Sequence, residues 1–88
     1  MTLIWEKKDN NQYECVTGMY LLVVEQLEGY RWHWVVYFDG ELVNSASLAK
    51  RLSPSLRQAK DRCRANIVRH MMKRIKQIKH AGKLEQGS

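Results

Sequence analysis

Arg31-Trp32-His33-Trp34-Val35-Val36-Tyr37-Phe38-Asp39-Gly40-Glu41-Leu42-Val43-Asn44-Ser45-Ala46-Ser47-Leu48 decides the fold. Its first eight residues are dominated by Trp, Val, Tyr and Phe, the types that fit a pleated, half-buried surface. Strand alternation puts Trp32, Trp34, Val36 and Phe38 on one face, with Arg31, His33, Val35 and Tyr37 on the other. Asp39-Gly40 then stands between two strand-like runs, a strong short-range hairpin signal. Glu41 to Leu48 returns as the last strand.

The same reading extends backwards. Gly29 marks a turn, and Met19 to Leu27 is rich in Val, Leu and Tyr. Gly18 breaks the chain before it. Leu3-Ile4-Trp5 and Tyr13-Glu14-Cys15-Val16 flank the turn residues Lys8-Asp9-Asn10-Asn11 and read as an N-terminal hairpin. Forwards, the period changes. Ser53-Pro54 fits an N-cap with proline at the first helical position, and Ser55 with Gln58 offers a capping box instead. No helix breaker follows until Gly82, which fits a C-terminal stop. The predicted class is α+β: an antiparallel sheet of three to five strands, a meander with an N-terminal hairpin, then one long C-terminal helix packed on one sheet face. Residues 1–82 are expected to form one domain, with strands within about 2–48, a helix over about 54–80 and a flexible tail at 83–88.

Eighty-eight residues suit one core and no second lobe. No run of about 18 apolar residues exists, so no membrane partner is expected. The start Met1-Thr2-Leu3-Ile4-Trp5-Glu6 lacks the basic and apolar regions of a secretory leader. Cys15 and Cys63 stand far apart, in no metal-ligand spacing, and read as small reduced core residues of a cytoplasmic protein. No cofactor and no metal ligand set is predicted.

Charge is divided unevenly. Residues 1–49 hold three Lys and Arg against seven Asp and Glu, a net of −4, while residues 50–88 hold twelve against two, a net of +10. Such asymmetry points to an anionic partner. At 100° per residue, Leu56, Ala59, Cys63, Ile67, His70, Met71 and Ile78 cluster on the helix side expected to cover the sheet. Opposite them, Arg62, Arg69, Lys73, Lys76 and His80 fall within about 60° of one another, flanked by Arg57, Arg64 and Lys79. No acidic residue lies between Arg62 and Lys83. Solvated helix faces normally mix signs, because like charges four residues apart repel. Arg57, Arg62, Arg64, Arg69, Lys73, Lys76, Lys79 and His80 are therefore the candidate nucleic-acid-binding residues, with DNA the favoured partner. An acidic protein surface would suit the same stripe.

Two apolar sets fall outside the single-helix pattern. Met19 to Val24 is apolar on both strand faces, and one helix covers only one of them. Val68, Met72 and Ile75 sit between the core line and the basic stripe. Leu21, Val23, Val68, Met72 and Ile75 are thus the candidate partner or homodimer interface. The tryptophans could stack bases, but the acidic sheet half and a place under the helix argue for core. The chain has no catalytic motif of the G-x-S-x-G, H-E-x-x-H or P-loop kind, and no catalytic residue is expected.

Tyr20…Trp32-x-Trp34…Asp39-Gly40…Ser47…Ala59-Lys60 leading into a helix is similar to an arrangement of small phage and prophage proteins. Those have an N-terminal hairpin, two or three strands with a W-x-W or W-x-V core, and a helix entered through a serine-led cap. The resemblance covers most of residues 5–70. It implies an accessory protein of phage type and assigns no residue a role. The layout also resembles arm-type integrase and plant AP2-like DNA-binding domains, which read DNA with the sheet. The expectation is a small nucleic-acid-binding accessory protein using the basic helix face without base specificity. Its alternative is a phage-type regulator that binds a host protein through that helix and the open sheet face.

Overall fold

The Asp39-Gly40 turn is the pivot of the chain. The computed structural model describes residues 2–86, with side chains through Ile78 except that of Glu28. Asp39 and Gly40 both have positive φ, +50° and +79°, the pair of conformations a twisted two-residue hairpin requires. They join β4 (Trp32–Phe38) to β5 (Glu41–Ser45). Gly18, at φ +57°, opens the matching two-residue turn between β2 (Gln12–Thr17) and β3 (Tyr20–Gln26). β1 (Glu6–Asp9) completes a five-stranded antiparallel meander in the order β1-β2-β3-β4-β5. Helix α1 (Leu56–Gln86) packs on the inner face, chiefly against β4 and β3.

The tryptophan strand faces as its alternation predicts. Trp32, Trp34 and Val36 are buried beneath α1 with Leu22 and Val24 of β3 and Cys15 of β2. Ala59, Cys63 and Ile67 close this core from the helix side. Burial of Trp32 and Trp34 removes them from any base-stacking role. Cys15 and Cys63 are both free and buried. Burial pushes the Cys63 thiol up to about 12, with neighbouring Cys15 adding to the effect. Both thiols are core groups rather than nucleophiles.

The element boundaries depart from the sequence reading in three places, and the helix cap falls to the second of the two serines offered. Leu3 and Trp5 do not form the first strand; they pack partly buried against the core, and β1 begins at Glu6. β5 ends at Ser45, where the backbone N–H donates to Asn44 Oδ1 and the Ser45 hydroxyl accepts from Leu48 N. Backbone bonds between Ser53 and Trp32 then take over the edge of β4 that β5 has left. This uses Ser53 in the sheet, so the helix cap is Ser55, whose Oγ accepts from Gln58 N at 3.2 Å. Finally, Gly82 lies inside α1, which runs on to Gln86.

Length decides the rest. The 31 residues of α1 extend about 46 Å, while a seven-residue strand covers about 23 Å. The helix starts beside the Trp32 end of β4 and leaves the sheet at the Phe38 end. There His70 Nδ1 meets the Tyr20 hydroxyl at 2.8 Å, and the Arg74 guanidinium stacks 4.3 Å from the Phe38 ring centre. Met71 and Ile78, expected in the core, are instead 41% and 68% exposed because the sheet ends beneath them.

Candidate functional site

Helix geometry turns Arg62, Arg69, Lys73 and Lys76 to the side of α1 opposite its core residues, and all four are exposed. From Arg62 to Lys76 the stripe covers about 21 Å of helix axis. Lys8 pairs with Glu6 and Glu14 at 3.3 and 3.9 Å, on the N-terminal hairpin and not on this stripe. Among the described residues no carboxylate forms an ion pair with Arg62, Arg69, Lys73 or Lys76. Like charges at Arg69 and Lys73, one turn apart, raise the local potential and cost the helix about 0.2–0.5 kcal/mol.

The stripe borders a groove of about 320 Å³ between α1 and the β5 edge, with Arg69 and Lys73 on one wall. Its floor is a short amide chain. Asn44 Nδ2 donates to Asn66 Oδ1 at 2.8 Å, and Asn66 Nδ2 donates to the Arg62 carbonyl at 2.8 Å. Glu41 lines the same groove as Arg69 and Lys73.

The remaining expected site residues separate into groups. Arg57 and Arg64 line a different groove, against Thr2, Leu3 and Trp5; Arg64 also borders the flank patch that reaches Arg69. The side chains of Lys79 and His80 lie outside the described residues. Arg74, next to Lys73 in the chain but on the core line, is engaged with Phe38. Lys60 was not foreseen. It holds its ammonium 4.9 Å from the Tyr13 ring centre and 5.4 Å from that of Trp5, a cation–π pocket that anchors the N-terminal segment. A lysine on the apolar side of the helix was the available signal.

The partner residues also fall in two places. Val68, Met72 and Ile75 are exposed on the flank of α1, where Val68 and Met72 share a shallow, mostly apolar patch with Ala65, Arg64 and Arg69. Leu21 and Val23 lie on the other side of the sheet. Register places Val16, Leu21, Tyr37 and Leu42 in one row of that outer face, and Glu14, Val23 and Val35 in the next. No described element covers them, since the N-terminal hairpin joins the sheet rather than folding over it. Glu6, Glu14 and Glu25 lie beside this apolar area, with Lys8 paired to Glu6 and Glu14. The molecule therefore has a basic helix side and an apolar sheet side with acidic neighbours.

Among the described residues no three His, Cys, Asp or Glu side chains converge as a metal site would need, and no helix is long and apolar enough to cross a membrane. No family model matches the chain, and no curated protein or solved structure matches it.

Proposed function

We propose that this chain binds nucleic acid, with DNA duplex the favoured form, through the Arg62, Arg69, Lys73 and Lys76 face of α1. The supporting observation is four exposed cations on one helix side, none of them in an ion pair with a described carboxylate. An arrangement that costs the isolated helix stability is offset when each cation meets a phosphate and a counterion is released. Arg and Lys contacts to phosphates fix position without reading bases, so affinity should be indifferent to sequence. The groove floor of Asn44 and Asn66 is occupied by its own hydrogen bonds, which leaves no free amide fork for an adenine edge.

The test is fluorescence anisotropy with two labelled 20-base-pair duplexes of unrelated sequence at low salt. Binding of both with dissociation constants within about three-fold supports backbone recognition. No binding of either overturns the proposal and turns attention to an acidic protein surface as the stripe's target.

A further inference from the structure

Helix α1 carries a second apolar line that its own sheet does not use. Ala65, Val68, Met72 and Ile75 follow one another at steps of three, four and three residues, and lie within about 80° of one another around the axis. All four are exposed, Val68 to 43%, Met72 to 55% and Ile75 to 50%. The residues that close the core, Ala59, Cys63 and Ile67, belong to the side on the sheet and are not part of this line. From Ala65 to Ile75 it runs about 15 Å along the helix. Alternating three- and four-residue steps are the spacing that lets one helix seat its side chains between those of another. Cations border the line. Arg69 shares a shallow patch with Ala65, Val68 and Met72, and Lys76 stands two turns further along the same edge, beside Ile75. Arg64 borders the other edge, and Asp61 lines the patch at its N-terminal end, where the apolar run stops.

We propose that this line docks an acidic amphipathic helix of a partner protein, one whose own apolar seam is flanked by Asp and Glu. Charge selects this occupant. The flanking positions of a helix pair set partner choice, and exposed Arg69 and Lys76 beside the line favour carboxylates there. A second copy of the chain would instead set these cations against their own kind across the seam, which repels. Phosphates of duplex DNA would suit the cations but leave Val68, Met72 and Ile75 without an apolar counterpart. An anionic membrane suits a broad apolar face with Trp, Phe and Leu, whereas this line is one residue wide and holds none of the three. Because the line spans about three turns, a partner helix of about three turns is long enough to cover it. Arg69 and Lys76 also belong to the proposed DNA face, so acidic helix and duplex would exclude each other. The docking does not rest on nucleic-acid binding, because it needs the apolar line, which phosphate contacts do not use.

The test is fluorescence anisotropy of the whole chain, without DNA, against two labelled helical peptides about three heptads long. Both carry Leu in the seam; one has Glu and the other Lys at the flanking positions. At physiological salt the Glu peptide should bind with a dissociation constant on the order of 10 μM, and the Lys peptide at least about thirty-fold more weakly. Met72→Lys keeps every cation and adds one, so attraction by charge alone would strengthen binding. Docking on the apolar line predicts the reverse, a weakening of about ten-fold or more. Val68→Lys repeats the measurement at a second exposed position, and far-UV circular dichroism checks that both variants fold. No binding of the Glu peptide overturns the proposal. So does equal binding of the two peptides, or binding that neither variant weakens. The protein is also mixed with vesicles of phosphatidylglycerol and phosphatidylcholine, and its mass is measured by sedimentation equilibrium. Vesicle binding in place of peptide binding would assign the line to a membrane surface, and a dimer broken by Met72→Lys would assign it to a second copy; either result overturns the proposal.

Discussion

Replacing Arg69 and Lys73 together by alanine removes half of the unneutralised stripe. Both side chains are exposed and make no ion pair among the described residues, so folding loses little. It should gain slightly, because the pair repels at one-turn spacing by about 0.2–0.5 kcal/mol and alanine is the best helix former. Binding responds differently. Each phosphate contact on duplex DNA contributes about 0.9 to the log–log salt slope, so two lost contacts flatten it by about 1.8. At 0.1 M salt, one decade below a 1 M reference, that is about 60-fold in affinity, or about 2.4 kcal/mol. Arg74→Ala is the matched control. It deletes one positive charge from the same stretch of helix, but this guanidinium is stacked on Phe38 rather than turned with the stripe. Its effect on DNA affinity at 0.15 M salt should stay below about three-fold, since only screened long-range attraction is lost. Anisotropy titrations with melting curves for all three proteins separate binding from folding. A double variant that binds DNA within about two-fold of the parent refutes phosphate contact by this face.

Three further outcomes follow from the packing. Ser55→Ala removes the hydroxyl that caps α1 through Gln58 N, and should cost about 1 kcal/mol, seen as a fall of about 4–8 °C in the thermal midpoint. Asn66→Ala strips the buried amide from the Asn44–Asn66–Arg62 chain and should cost about 1–3 kcal/mol in urea unfolding, without altering the DNA salt slope. Cys63 keeps its proton in the folded chain up to about 12, against 9.0 for the ordinary thiol. Between these values the unfolded chain has lost a proton that the native state retains, so stability falls with rising pH by up to about 1.4 kcal/mol per unit. Below 9.0 both states are protonated and the group adds no pH dependence. Urea midpoints of the parent and Cys63→Ala across this window should converge as pH rises; parallel curves would contradict the burial effect.

The sheet was legible where one face is buried. Trp32, Trp34 and Val36 alternate, and Asp39-Gly40 supplies the positive-φ pair that turns two such strands tightly. β1 was not legible, because Glu-Lys-Lys-Asp is exposed throughout and an all-polar edge strand has no period to read. The apolar Leu3 and Trp5 drew the strand assignment toward themselves, whereas their role is to pack on the core beside Lys60. The end of β5 depended on side-chain bonds of Asn44 and Ser45 that compete with the ladder. On the helix, angular position alone separated the exposed cations from the core. It could not show that Met71 and Ile78 lie past the sheet, since periodicity carries no information about where the opposing surface stops. Nor could it set Arg57 and Arg64 against the N-terminal segment, which depends on the fold of residues distant in sequence.

The salt dependence of DNA binding by the unaltered chain tests the central claim most directly. Four phosphate contacts predict a log–log slope of about −3.6, and hence about 150-fold weaker binding at 200 mM than at 50 mM salt. A slope near zero, or no affinity for DNA at the lower salt, would contradict the assignment of the Arg62–Lys76 face to phosphate binding.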